Sequence, residues 1–154
     1  MELLGMTTQA RSHLPDHGIP DEFETASLEA ALTEPVADAF RLLDHRTRER
    51  AISGPLPRAG HYLAVEGGGE TRYVRLDANV THIGRGIASD VRLEDRRVSR
   101  NHAVVVCHGR YARVLDNRSM SGTFVNGRRI VATNIGNGDV IRVGPVAMQY
   151  VRLS

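Results

Sequence analysis

From His61 onward the chain alternates short apolar, β-branched runs with clusters of Gly, Asn, Asp and Ser. The runs are His61–Val65, Arg72–Leu76, Asn79–Gly84, Asp90–Leu93, His102–Cys107, Tyr111–Leu115, Thr123–Val125, Arg128–Ile130, Asp139–Val143 and Val146–Leu153. Between them fall Gly67-Gly68-Gly69, Asp77-Ala78-Asn79, His108-Gly109, Asn126-Gly127, Asn137-Gly138 and Gly144-Pro145. Asn-Gly between two strand-like runs is a strong local signal for a hairpin. Many short strands at this spacing predict a two-sheet antiparallel β-sandwich over residues 61–154.

The first third follows a different pattern. Residues 1–20 are polar, with Pro15, Gly18 and Pro20, and predict a flexible tail. In the segment 21–52, Leu28, Leu32, Val36, Phe40 and Leu43 recur at spacings of three and four, which places them on one helical face. Asp21 and Glu24 form a capping-box-like start. Pro35 would cost about 3 kcal/mol inside a helix but is tolerated in a first turn. The expectation is therefore two helices, 22–32 and 34–51, with Thr33 capping the second; one helix kinked at Pro35 is the alternative. The stripe calls for a surface to pack on, in this chain, in a second copy or in another protein. Residues 53–60, Ser-Gly-Pro-Leu-Pro-Arg-Ala-Gly, predict a linker.

Composition changes this picture in three ways. Hydrophobic residues make up 41%, aromatics only 5%, and there is no Trp, so the core must be Val, Leu, Ile and Ala. All 20 basic residues are arginine, the side chain that grips carboxylate or phosphate with a two-pronged fork. The formal charge of +2 is split: residues 1–58 hold 6 Arg against 10 acidic residues, a net of −4, and residues 59–154 hold 14 against 8, a net of +6. The halves attract each other, or the second attracts an anion. Nucleic acid is a weaker fit, because the arginines are not interleaved with aromatics. Met1–Ala10 lacks a basic start and an apolar stretch, and no apolar run approaches membrane-spanning length, so a cytoplasmic, membrane-free protein is expected. The single cysteine, Cys107, offers no disulfide framework.

The polar clusters carry the candidate chemistry. Gly84-Arg85-Gly86 lacks the third glycine and the following helix of a dinucleotide site. Ser99, His102 and Asp116 lack the context of a hydrolase nucleophile. His82, His102, Cys107 and His108 lack zinc spacing. Neither an enzyme, a metal nor a cofactor is expected. Anion binding is the economical reading: Arg85 follows a glycine at a strand end, Ser99 supplies a hydroxyl and an amide, and Arg97 and Arg100 add charge nearby.

Taken together, Gly84-Arg85, Ser99-Arg100-Asn101-His102, Ser119-x-Ser121-Gly122-Thr123-x-x-Asn126-Gly127 and Gly138-Asp139 closely resemble the forkhead-associated (FHA) domain, in the family's order and spacing, over about residues 60–154. The resemblance implies an FHA/SMAD-like β-sandwich that binds phosphothreonine peptides. It implies that Arg85 and Ser99 contact the phosphate, that Arg100 contributes, that His102 braces the loops, and that Ser121 and the Asn126-Gly127 turn near the pocket also belong to the phosphopeptide-binding set. Gly84, Gly122 and Gly127 would permit tight backbone paths. Asn117 and Arg118 would tune selectivity, which in this family depends on the third residue after the phosphothreonine. Ser121 stands where the family often has a peptide-binding asparagine, and Met120 replaces a residue that is commonly small or polar.

The expected function is an adaptor or regulator that binds a phosphothreonine protein downstream of a Ser/Thr kinase. Some small bacterial members carry an N-terminal threonine that is phosphorylated and then fills the protein's own pocket. Thr25, in Glu22-Phe23-Glu24-Thr25, has a suitably acidic setting. The alternative is a phosphate-independent interaction scaffold that uses the same fold and the N-terminal helices.

Overall fold

The computed structural model describes residues 38–56 and 58–154, so the expected tail, the 22–32 helix, Thr25 and the stripe residues Leu28, Leu32 and Val36 lie outside the described residues. A two-sheet β-sandwich accounts for most of what is described. One sheet has seven strands in the order β1-β3-β2-β12-β11-β8-β9, and the other has five in the order β10-β7-β6-β4-β5. The strands are β1 (Ile52–Ser53), β2 (Gly60–Gly67), β3 (Glu70–Arg75), β4 (Val80–Gly84), β5 (Val91–Arg92), β6 (Ala103–His108), β7 (Tyr111–Asp116), β8 (Thr123–Val125), β9 (Arg128–Ile130), β10 (Ala132–Ile135), β11 (Val140–Val143) and β12 (Val146–Leu153). Only β4 and β5 pair in parallel; the other pairings among these strands are antiparallel.

Period-two alternation builds the core. On β6, Ala103, Val105 and Cys107 are buried, and on its partner β7 so are Ala112 and Val114, with Val105 opposite Val114. Leu63, Val65, Val74, Ile141, Val143, Val146 and Met148 supply the facing layer. The core is thus mostly aliphatic, with Tyr150 as an aromatic member of the buried cluster. Strand β2 departs from alternation, with four consecutive buried residues from Tyr62 to Val65. Its second face is covered locally: the Tyr62 hydroxyl donates to the Arg58 carbonyl at 2.6 Å and accepts from Arg75 Nη1 at 2.8 Å.

The helix expected over 34–51 takes a different form in its described part. A 3-10 turn spans Ala39–Leu42, Leu43 is extended, and a six-residue helix, α1, spans His45–Arg50. Tertiary hydrogen bonds override the helical pattern here. Leu43 makes an antiparallel bridge to Leu93, Glu94 N donates to Leu42 O at 2.6 Å, and Asp44 N donates to Arg92 O at 2.9 Å. The segment therefore extends the free edge of the five-stranded sheet beyond β5. Phe40 lies under the Arg72 guanidinium at 4.1 Å, and Ala39 and Leu43 join the core. Asp44 then caps α1 by accepting from Thr47 N at 2.9 Å.

Two strands were not foreseen. Ile52 and Ser53 form β1 by pairing with Tyr73 and Arg72, so strand structure begins before the expected linker ends. Ala132–Ile135 forms β10 on β7, although Ala and Asn are poor strand formers.

Leu43 is wholly buried and belongs to the core cluster. Leu43→Ala should lower the unfolding free energy by about 2–5 kcal/mol through transfer and cavity terms. Leu153→Ala, at a residue 38% exposed, should change it by less than about 0.5 kcal/mol. Urea unfolding of both variants measures the difference, and equal effects would mean that residues 38–50 do not dock on the sandwich.

Candidate functional site

Three loops meet at one end of the five-stranded sheet: the β4–β5 loop, the β5–β6 loop and the β7–β8 loop. Backbone bonds join the first two, with Arg85 N donating to Ser99 O at 2.9 Å and Gly86 N to Arg100 O at 3.0 Å. This close approach explains Gly84, since a β-carbon there would collide with the Arg100 carbonyl. The third loop joins through side chains. Met120 N donates to Ser99 Oγ at 2.9 Å, and Ser121 Oγ donates to Arg97 O at 3.3 Å.

His102 binds the assembly together. It is wholly buried. Its Nδ1 accepts from Ser99 N at 3.0 Å, which leaves the proton on Nε2 to donate to Gly122 O at 2.9 Å. One ring thereby fixes the β5–β6 loop against the β7–β8 loop. Burial pushes its pKa below the usual imidazole value, only partly opposed by the Gly122 bond and by Asp116. Ser99 meets this ring through its amide and not its hydroxyl, so the arrangement is that of a brace and not of a serine activated by a base.

Arg85 is anchored at one edge. Its Nε donates to Val98 O at 2.9 Å, and its carbonyl accepts from Arg92 Nε at 3.0 Å. Among the described residues, its terminal nitrogens have no protein hydrogen-bond partner. Those nitrogens are thus open to a further acceptor, and the Ser99 hydroxyl, which accepts from Met120 N, keeps its own proton to donate. Arg100 contributes chiefly through its carbonyl, which also accepts from Ser89 Oγ at 3.2 Å; its side chain is exposed. Arg97 is committed to Asp95 through its amide, Nε and Nη2, at 2.8, 2.9 and 2.8 Å.

The β7–β8 loop is organised by Asp116, a residue that sequence reasoning weighed only as a triad member. Its carboxylate accepts from Ser119 Oγ, from Ser119 N at 3.3 Å and from Thr123 Oγ1 at 2.7 Å. Ser119 Oγ in turn accepts from Gly122 N at 2.9 Å. Arg118 takes a left-handed φ of 56° to let the loop turn back. The Asp-x-x-Ser spacing is the signal that points to this turn. Arg92 was also missed, and β5, with two residues, gives no pattern that marks it.

Asn126 and Gly127 are not brought into this cluster. They form the β8–β9 turn at the far end of β8, with φ of 52° and 83°, as a two-residue hairpin needs. The Asn126 amide nitrogen donates to Asp139 Oδ1 at 3.0 Å, and its side-chain oxygen accepts from Val140 N at 2.9 Å. The turn expected near the pocket stands at the opposite end of β8 from Gly122, and its asparagine ties the β8–β9 hairpin to the start of β11. Gly122, Ser121 and Met120 do belong to the loop cluster, and Met120 is 88% exposed.

Comparison with known proteins agrees with this geometry. The FHA domain family profile matches residues 81–144. The chain is 34% identical over 107 residues to the glycogen accumulation regulator GarA of Mycolicibacterium smegmatis, covering 67% of each protein. It is 34% identical over 109 residues to the oxoglutarate dehydrogenase inhibitor of Corynebacterium jeikeium, covering 70% of this chain and 74% of that one. Against a Mycobacterium tuberculosis ABC transporter ATP-binding/permease protein the match is 35% over 75 residues and spans 9% of the transporter. Among solved structures, an FHA domain from work on phosphothreonine-dependent FHA domain interactions superposes with a TM-score of 0.55 at 30% identity, covering 63% of this chain and 99% of that one. Mycobacterium tuberculosis EmbR in complex with a low-affinity phosphopeptide superposes with a TM-score of 0.56 at 32% identity, covering 63% of this chain and 25% of that one. This chain belongs to the FHA domain family.

The His102 brace sets a pH dependence. Its folded-state pKa lies below the ordinary value of about 6.5, so the unfolded chain binds the extra proton first. This contribution to stability is complete above about pH 6.5 and is lost as the pH falls towards the folded value. Urea midpoints should drop between pH 7.5 and pH 5. The drop should be smaller in His102→Gln, whose amide can accept and donate without titrating. Equal slopes in the two proteins would mean that His102 is not the group responsible.

Proposed function

We propose that this chain is a phosphothreonine-reading adaptor or regulator that acts by binding, downstream of a Ser/Thr kinase. The observation that carries the reading is the half-anchored Arg85: Nε is held by the carbonyl of Val98, the residue before Ser99, while the outer nitrogens have no partner among the described residues. A phosphate accepts from both prongs of such a fork, and charge-assisted bonds of this kind contribute about 1.5–3 kcal/mol each. The Ser99 hydroxyl is the second donor. Arg100 adds positive charge at the rim, and Ser121, with its proton on Arg97 O, offers lone pairs to a peptide amide. Asn126 and Gly127 support the sheet and are left out of the proposed contacts.

The relatives favour the same reading. GarA and the Corynebacterium protein are named as a regulator and an inhibitor, and neither name describes catalysis by the domain itself. The FHA domain of FhaA, 32% identical with a TM-score of 0.53 and covering 58% of this chain and 97% of that one, was solved in complex with the intracellular domain of Rv3910. We extend the reading to Thr25 as a kinase site whose phosphorylated form occupies the chain's own pocket, favoured by effective concentration.

Anisotropy titration of a degenerate phosphothreonine peptide library against the full chain tests the reading, with phosphoserine and unphosphorylated libraries as controls. Binding should be confined to phosphothreonine and weakened by about 2–5 kcal/mol in Arg85→Ala, as when one member of a buried charge pair is removed. Phosphoserine should bind more weakly by at least the roughly 0.8 kcal/mol of one buried methyl. Kinase-treated chain should lose binding, and Thr25→Ala should keep it. Equal binding of phosphorylated and unphosphorylated libraries would instead establish a phosphate-independent scaffold.

A further inference from the structure

We infer that residues 42–50, which precede the segment matched by the FHA profile, are a working part of the phosphate site and position Arg85 through Arg92. The inference rests on the reading of Arg85 given above. The profile begins at residue 81, yet Arg92, inside the match, is held by groups outside it.

The contacts form a continuous chain. On the open edge of β5, Arg92 N donates to Thr47 Oγ1 at 3.3 Å and Arg92 O accepts from Asp44 N at 2.9 Å. Both backbone groups of Arg92 are thus satisfied by the N-terminal segment. The side chain then turns towards the loops. Its Nε donates to the Arg85 carbonyl at 3.0 Å, while Nη1 lies 4.0 Å from Asp44 Oδ2 and 3.9 Å from Glu94 Oε2. The Asp44 carboxylate is itself fixed, because its other oxygen caps α1 by accepting from Thr47 N. A further bond, from Arg50 Nη2 to Asp90 O at 2.6 Å, pins the end of α1 beside β5.

The consequence for Arg85 is geometric. Its amide is held by Ser99 O, its Nε by Val98 O and its carbonyl by Arg92. Removing the last of these frees the peptide plane that follows the Arg85 α-carbon, and the guanidinium loses part of its fixed aim. A binding group held in its bound geometry before the ligand arrives costs less to order on binding. With Asp44 and Glu94 beside it, Arg92 is largely neutralised and acts as a clamp, not as a second phosphate ligand.

The full chain is titrated with the phosphothreonine peptide that wild type selects, as Arg92→Ala, Arg92→Lys and Asp44→Asn. Arg92→Ala should weaken binding about tenfold, the scale of one charged hydrogen bond. Arg92→Lys should weaken it nearly as much, since lysine keeps the charge but cannot place a donor at Nε. Asp44→Asn keeps a good helix cap and should give a loss of about threefold with little change in melting temperature. A readout that general destabilisation does not move is the Arg85 Nε–H signal in a nitrogen-15 spectrum without ligand, whose solvent exchange should quicken in Arg92→Ala. In an Arg85→Ala background, adding Arg92→Ala should change the residual affinity by less than about twofold. The inference is overturned if Arg92→Ala binds like wild type, if Arg92→Lys restores full affinity, or if the Arg85 signal is unaltered. Failure of wild type to bind any phosphopeptide would count against the phosphate reading alone, and the Arg85 exchange rate would still decide whether Arg92 holds it.

Discussion

A single buried imidazole holds the recognition loops in place. His102 has no access to solvent, so both of its nitrogens must find partners inside the protein, and each partner is the backbone of a different loop. The neutral Nε2–H form is the only one that serves both, because Ser99 N–H and Gly122 O require an acceptor on one side and a donor on the other. Once the ring is set, the Ser99 amide is fixed, its hydroxyl receives Met120 N, and Arg85 N closes on the Ser99 carbonyl. Gly84 belongs to the same constraint, since the Arg100 carbonyl fills the space where its side chain would stand.

Around this brace, hydrogen bonds are divided between structure and ligand. Asp116, Ser119 and Thr123 satisfy one another, and Arg97 is spent on Asp95. Arg85 and Ser99 are left with donors to offer. Donors preset in this way suit an anion, and the apolar sandwich beneath keeps the loops from adjusting. The N-terminal segment extends the same logic, because it completes the exposed edge at β5 and braces the arginine that holds the Arg85 carbonyl.

Most strands were legible because their signals are local: β-branched runs alternate in burial, and glycine or asparagine marks the turns. The loop residues Gly84, Arg85, Ser99, His102 and Gly122 were legible through family spacing, which records a three-dimensional constraint that no short window contains. What was not legible depended on contacts distant in sequence. Leu43 fits a helical stripe, yet Leu93 draws it into an extended bridge. The short β1 and the Ala-Thr-Asn-Ile strand β10 exist because β3 and β7 offer them edges. Asn126 shares its motif with Gly122, but the three extended residues of β8 separate the two. The role of Arg92 depends on Asp44 and Thr47, both far earlier in the chain.

The central claim is that a phosphate is read at the meeting point of the β4–β5 and β5–β6 loops. Nitrogen-15 NMR of the full chain, titrated with one phosphothreonine peptide and then with the same peptide after phosphatase treatment, tests it most directly. The predicted result is a compact set of shifts at the Arg85 side chain and at the Ser99, Met120 and Gly122 amides, absent with the dephosphorylated peptide, and with Asn126 and Gly127 little changed. Shifts centred on the β8–β9 turn or the outer sheet faces, or identical shifts with both peptides, would contradict the account.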